Sequence, residues 1–333
     1  MNDPTEPLLA VRDLRVVFDT PEGLAVTVDG LSFDVRAGET LGIVGESGSG
    51  KSMTSLAILG LLPGRAQVTG SIRLRGRELV GLSDKEMREV RGNEIAMVFQ
   101  DALAALNPVM TVGDQLVEAM AVHEAEGGKD AWRARAVELL GLVGIPSPEQ
   151  RVEQYPHEFS GGMRQRVMIA MSIANDPAVL IADEPTTALD VTVQAQVLEV
   201  LRTVQERTGT TVILITHDLG VVAGTADRVM VMYAGGTVEQ APVDGLFHDT
   251  AHPYTRGLLE SLPRLDRRPD EGRLRQIPGS PPAATALPQG CRFAPRCPHF
   301  LEDPCARSVP EPSVVVAGHV AACHRLPELL GDR

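Results

Sequence analysis

Short apolar runs that each end in a polar group alternate along this chain with longer stretches in which apolar positions recur every three or four residues. Runs of the first kind are Leu41-Gly42-Ile43-Val44, Ile95–Phe99, Ala178–Ala182 and Thr211–Thr216, and they read as strands buried on both faces. The second kind predicts helices over Met53–Leu62, Val112–His123, Asp130–Leu142, Gly162–Ala174 and Thr192–Arg207. In Gly162–Ala174 the residues Val167, Ala170, Met171 and Ala174 fall at i, i+3, i+4 and i+7, and Thr192–Arg207 directs Val193, Val197, Val200, Leu201 and Val204 to one side. Strands alternating with helices make the core of the α/β class. Ahead of it, Leu14–Phe18 and Leu31–Val35 alternate with turn residues between them, which suits a small, mostly antiparallel sheet. Ser71–Arg75 reads as a further strand, as does Thr237–Gln240 after a turn at Ala234-Gly235-Gly236.

The polar groups at the ends of these elements carry the chemistry. Gly45-Glu46-Ser47-Gly48-Ser49-Gly50-Lys51-Ser52 matches G-x-x-x-x-G-K-[ST] between a strand and a helix. In that setting glycines let backbone N–H groups turn inward onto phosphates, and the helix N-terminus adds partial positive charge. Lys51 is expected on the β- and γ-phosphates, and Ser52 on Mg²⁺. Gln100 follows one strand, Asp183-Glu184 a second and His217-Asp218 a third. Paired carboxylates at a strand end suit a metal-assisted phosphate site: one holds Mg²⁺ and the other orients or deprotonates the attacking water. Phe159-Ser160-Gly161-Gly162 places a hydroxyl and two glycine N–H groups at another helix start, a second anion-binding terminus.

Charge narrows the class of partner. The 333 residues carry a formal net charge of −13, which argues against a nucleic-acid grip. No apolar run reaches the roughly 20 residues of a membrane span, and Met1-Asn2-Asp3-Pro4-Thr5-Glu6 lacks the basic and apolar regions of a signal peptide. The expected location is therefore cytoplasmic, with membrane attachment through a partner.

All four cysteines, Cys291, Cys297, Cys305 and Cys323, fall in the last eighth of the chain, spaced C-x5-C-x7-C-x17-C, beyond a proline-rich stretch Ile277–Pro282. Disulfides are disfavoured in a cytoplasm, so a metal or cluster is the expected reading. A [4Fe–4S] centre on four thiolates stands first, zinc with His299, His319 or His324 as stand-in ligands second, and unliganded thiols third. Because the phosphate motifs lie well before the linker, the cluster is expected to fold the tail without itself touching the nucleotide.

Over Leu8–Pro242 these residues resemble the ATP-binding cassette (ABC) ATPases. Gly45–Ser52 is similar to the family's Walker A loop, Gln100 to its Q-loop glutamine, and Ser160-Gly161-Gly162 to its signature motif. Val179–Glu184 is similar to Walker B with its catalytic glutamate, Ala188-Leu189-Asp190 to the D-loop, His217 to the switch histidine, and Phe18 to the adenine-stacking aromatic. The signature departs from Leu-Ser-Gly-Gly-Gln: Met163 follows the glycines and Gln165 stands two positions later. The resemblance implies a RecA-like core sheet, an antiparallel β subdomain and a helical subdomain at about 101–176. It also implies ATP and Mg²⁺ as ligands, with Gln100, Glu184 and His217 catalytic, and Ser52, Gln100 and Asp183 on the metal. Two such domains would meet head to tail, so that Ser160, Gly161 and Gly162 reach the ATP of the partner subunit.

The tail resembles the C-terminal region of oligopeptide and dipeptide importer ATPases, which divides the chain into a cassette over 1–245 and a C-terminal region over 246–333. That branch implies a second ATPase subunit, with a heterodimer as the expected form, two transmembrane permeases and an extracytoplasmic solute-binding protein. The chain would then sit peripherally on the cytoplasmic face of the plasma membrane. Import of nickel or another small solute, and a soluble ABC ATPase without a transport role, are the alternatives.

Overall fold

The computed structural model describes residues 6–123, 128–187, 189–262 and 276–331. The chain divides into two compact units, one of Met1–Leu8, Val35–Thr40 and Gly81–Ile215, the other of Leu9–Asp34, Leu41–Val80 and Thr216–Arg333. In chain order the strands are β1 (Leu9–Thr20), β2 (Gly23–Val35), β3 (Thr40–Val44), β4 (Ala66–Leu74), β5 (Arg77–Glu78), β6 (Ile95–Val98), β7 (Val179–Asp183), β8 (Thr211–Thr216), β9 (Arg228–Tyr233), β10 (Gly236–Pro242), β11 (Ser313–Val316) and β12 (His319–Ala321).

In the unit that contains Gly81–Ile215, β6, β7 and β8 run parallel, with Ile95 opposite Val179 and Val179 opposite Thr211. Every residue of β7 and β8 is buried, as expected for parallel strands covered on both faces. The helix Val191–Thr208 begins at Asp190, whose carboxylate accepts from the Val193 N–H at 3.0 Å, and ends at Gly209 with φ +71°. The helix Gly161–Ser172 passes close to it: a Cβ on Gly162 would lie 2.3 Å from Val193 Cγ1, so only glycine permits this approach. The helices Val112–Ala121 and Lys129–Leu142 bury Leu116, Met120, Ala136, Leu139 and Leu140.

The other unit holds two sheets. One is antiparallel, in the order β2-β1-β4-β5, and confirms the small antiparallel sheet expected near the N-terminus. In the second, β3 pairs parallel with β9, and β9, β10, β12 and β11 follow in antiparallel succession. The cysteine-bearing tail therefore adds two strands to the edge of β10. Gly42 in β3 makes room for the segment after β8, since a Cβ there would meet Val222 Cγ1 at 2.8 Å.

Two local expectations are revised. The first helix spans Lys51–Ile58 rather than Met53–Leu62: Leu59 caps it and Gly60 turns left-handed at φ +60°. The sequence reading placed no strand at β9, although Val229-Met230-Val231-Met232 is a wholly buried apolar run.

Candidate nucleotide site

Phosphate-loop residues occupy the unit with β3. Gly45 follows β3 at φ +158°, and a Cβ there would stand 2.3 Å from the Met232 carbonyl oxygen. Gly50, at φ +100°, would put a Cβ 2.5 Å from the Thr27 carbonyl oxygen. Backbone therefore encloses the loop at both ends, while Ser47 and Gly48 between them are exposed. The loop is further tied by Gly235 N–H, which donates to the Ser49 carbonyl at 3.0 Å, and Ser49 Oγ is buried without a hydrogen-bond partner. Lys51 Nζ, buried, donates to the carbonyls of Gly45 at 2.7 Å and Glu46 at 3.1 Å. Ser52 is half-buried in the first turn of the helix. A cradle whose end glycines, Gly45 and Gly50, admit no Cβ, with an orphaned hydroxyl and an ammonium folded against it, fits a polyphosphate. Phe18 lies half-buried in β1, and His217 is exposed just after β8.

Glu46 is held on three sides. Its N–H donates to Tyr254 Oη at 2.9 Å, its carbonyl accepts from Lys51, and its carboxylate receives both arms of the Arg296 guanidinium at 2.7 and 3.1 Å. Arg296 is buried and donates as well to the Pro278 carbonyl at 2.8 Å and to Tyr233 Oη at 3.3 Å. Burial alone would lower its pKa, but the bonds to Glu46 and Tyr233 hold it above the usual value. Tyr233, Tyr254 and Phe293 pack ring against ring with centroids 4.6 to 5.3 Å apart. The tail thus reaches the phosphate loop through Arg296, the residue next to Cys297.

Carboxylate, glutamine and signature residues occupy the unit with β7. Asp183 is the last residue of β7 and is buried. Glu184 leaves the strand with φ +47°, a left-handed backbone rare for a residue with a side chain. Its N–H still donates to the Ile215 carbonyl at 2.8 Å, while its carboxylate accepts from Thr187 Oγ1 at 2.8 Å and from Gln100 Nε2 at 3.4 Å. The structure thus joins Gln100 to Glu184 and sets Thr187, which the sequence does not single out, on the same carboxylate. Ser160 caps the helix Gly161–Ser172 by accepting from the Met163 N–H at 3.3 Å, leaving Ser160 and Gly161 exposed. Gln165 is buried inside the same helix. Ala188 lies outside the described residues.

Cys291, Cys297, Cys305 and Cys323 all carry free thiols. Burial pushes Cys297 up to about 11 and raises Cys291 and Cys323, and the neighbouring sulfurs add to each rise. Among the described residues no group of three or more His, Cys, Asp or Glu side chains is placed to hold a metal ion. Among the described residues the centre expected from the spacing is therefore not preformed.

A family model for ABC transporters matches residues 28–187, and one for the C-terminal region of oligopeptide/dipeptide transporters matches 238–305. The oligopeptide transport ATP-binding protein OppD of Salmonella typhimurium is 48% identical over 327 residues, covering 98% of this chain and 96% of that protein. The chain belongs to the ATP-binding proteins of the ABC transporters. This ABC chain is also 55% identical to OppD of Mycobacterium tuberculosis over 98% of its own length, but spans about half of that relative, 53%. DppD of Bacillus subtilis, a dipeptide transport ATP-binding protein, is 52% identical over 96% of this chain and 94% of that one. Among solved structures, the cassette MJ0796 in a dimeric post-hydrolysis state bound to ADP and Pi superposes with a TM-score of 0.63 at 25% identity, covering 71% of this chain and 98% of that one. Among the described residues of this ABC chain, no helix is long and apolar enough to cross a membrane.

Proposed function

We propose that this chain is the ATP-hydrolysing subunit of an importer for dipeptides or oligopeptides, attached to the cytoplasmic face of the plasma membrane through permease subunits. The observation that carries this reading is the joint match to the cassette model and to the peptide-transporter C-terminal model in one chain, and the names of its relatives agree with it. We read residues 1–245 as the cassette, with a helical subdomain at about 101–176, and 246–333 as the C-terminal region. A second ATPase subunit in head-to-tail contact, two permeases and an extracytoplasmic solute-binding protein complete the assembly.

Within it, Gly45–Ser52 cradles the phosphates of ATP, with Lys51 moving from its own loop carbonyls to the β- and γ-oxygens, and Phe18 stacks on the adenine. Ser52, Gln100 and Asp183 would hold Mg²⁺, and the ion would neutralise charge on the phosphates. Glu184, kept in place by Thr187 and Gln100, takes the proton of the attacking water. His217 holds the γ-phosphate from its far side. Ser160, Gly161 and Gly162 present a helix N-terminus to the partner subunit's ATP. Phosphoryl transfer of this kind depends on positioning and electrostatic stabilisation more than on covalent chemistry.

The four cysteines supply the finer part of this reading: a [4Fe–4S] cluster, with zinc as the alternative. Their free thiols, all within the C-terminal region, support it. Metal binding would have to displace the thiol protons and draw the sulfurs together, coupling ligation to folding of the tail. Anaerobic preparation should yield brown protein that bleaches on Cys297→Ser with Cys305→Ser. Colourless protein with stoichiometric zinc would assign zinc instead. The transport reading is tested by reconstituting the chain with its permeases and solute-binding protein in vesicles. ATP-driven peptide accumulation that requires this chain supports it, and a chain that never co-purifies with permeases contradicts it.

A further inference from the structure

Two buried polar groups of the tail, Tyr254 and Arg296, reach the phosphate loop. Glu46, second residue of the loop, spends its N–H on Tyr254 and its carboxylate on Arg296. Tyr254 is wholly buried, at the start of the helix Pro253–Glu260, and Arg296 is 6% exposed, immediately before Cys297. Two tail segments 42 residues apart thus meet on one loop residue whose neighbours must present N–H groups to an anion. The guanidinium is fixed in turn by the Pro278 carbonyl and by Tyr233, over whose ring it lies at 5.7 Å. A fork held at both ends transmits position, because a planar bidentate pair tolerates little misalignment.

We infer that Arg296 and Tyr254 are positioning residues for ATP binding, through which the cysteine-bearing tail sets the conformation of the phosphate loop. Tyr254 removes the Glu46 N–H from the cradle, and Arg296 fixes the Glu46 side chain outside it. The N–H groups that follow are left to face the phosphates. The same carbonyl of Glu46 accepts from Lys51, so the residue that the tail grips is also one from which the lysine must depart. Displacing Arg296, by whatever happens at Cys297, loosens the loop and weakens ATP binding without altering the groups that carry out hydrolysis. This inference rests on the reading of Gly45–Ser52 as the phosphate site.

The test measures MgATP affinity, the KM and kcat of ATP hydrolysis and thermal stability on the full chain assembled with its partners. Arg296→Met and Glu46→Gln should each weaken MgATP binding roughly tenfold, and together no more than either alone, since both remove one pair. Arg296→Lys should recover part of the loss, keeping charge but not the fork. In Arg296→Met the change should fall on KM, with kcat within about twofold of wild type. Lys51→Ala is the control that must lose ATP whatever the tail does. An Arg296→Met protein that melts earlier yet binds MgATP normally, beside a defective Lys51→Ala, overturns the positioning role alone. Additive losses in the double variant overturn it too, and Glu46→Gln, at a partly exposed carboxylate, gives the answer should Arg296→Met not fold. If Lys51→Ala binds MgATP as wild type does, the phosphate-site reading fails first and carries this inference with it.

Discussion

Strands β7 and β8 are buried from end to end, and apart from Asp183 and two threonines their side chains are apolar. The chain from Gly236 onward also has buried strands and helices, yet Glu239, His252, His319 and Arg296 lie within it at 6% exposure or less. Glu239 accepts from the N–H groups of Ala251 and His252 and pairs with His319 Nε2 at 2.8 Å. Burial pushes its pKa up, but His319 and these backbone donors outweigh that and hold the carboxyl below its ordinary value. The first region is stabilised by apolar area and tolerates exchange of one aliphatic residue for another. The second is stabilised by polar groups that must all be present, since a buried charge left unpaired costs more than an apolar vacancy.

The sharpest break of this contrast is Glu239→Ala. It leaves His319 and two buried N–H groups without an acceptor and should cost roughly 3–5 kcal/mol, read as a lower denaturant midpoint with early protease cleavage confined to the tail. Loss no larger than that of an exposed glutamate would remove Glu239 from this role. Acid supplies the next effect. His252 is buried, and burial pushes it down to about 4 against the opposing pull of Glu239. The unfolded chain therefore binds more protons than the folded one between 6.5 and about 4. Its contribution is complete above pH 6.5 and is lost as pH falls toward 4, at up to about 1.4 kcal/mol per pH unit. Replacement of His252 by Asn, which retains an acceptor at the start of the helix, should flatten the stability profile over that window. An unchanged slope would deny His252 the effect.

Smaller changes belong to the apolar region. Gly162→Ala drives a methyl into Val193 and should cost about 1–3 kcal/mol. Shortening the opposing side chain with Val193→Ala should recover part of that loss, and failure to recover any would show that contact with Val193 is not the obstacle. Ile213→Val in the middle of β8 should cost only about 0.5–1.5 kcal/mol, and a loss as large as that of Glu239→Ala would erase the distinction between the regions.

The same contrast explains what could be read from the sequence. Parallel strands such as Val179–Asp183 announce themselves by unbroken apolar residues, and the groups at their ends follow directly, so Asp183, Glu184 and Gln100 were legible together with the loop Gly45–Ser52. β9 carries an equal signal in Val229-Met230-Val231-Met232, next to the glycine turn that ends it. The left-handed backbone of Glu184 has no such signal, since nothing in its neighbours requires φ +47°. Nor has the Thr187 contact. The bond between Glu46 and Arg296 joins residues 250 positions apart, and a charged pair at that separation leaves no periodicity to detect. Cysteine spacing conveyed a shared neighbourhood for the four thiols but not the burial that raises the pKa of Cys291, Cys297 and Cys323.

In the proposed function, binding and hydrolysis of ATP are carried by separate groups, Lys51 on the phosphates and Glu184 on the water. MgATP affinity and turnover measured side by side on Lys51→Ala and Glu184→Gln in the assembled transporter test it directly. Lys51→Ala should lose affinity and turnover together, whereas Glu184→Gln should bind MgATP as wild type does while turnover falls by about 10²-fold or more, the range seen when one group that acts in the transition state is removed. Wild-type turnover in Glu184→Gln, or equal loss of MgATP binding in both variants, would contradict the account.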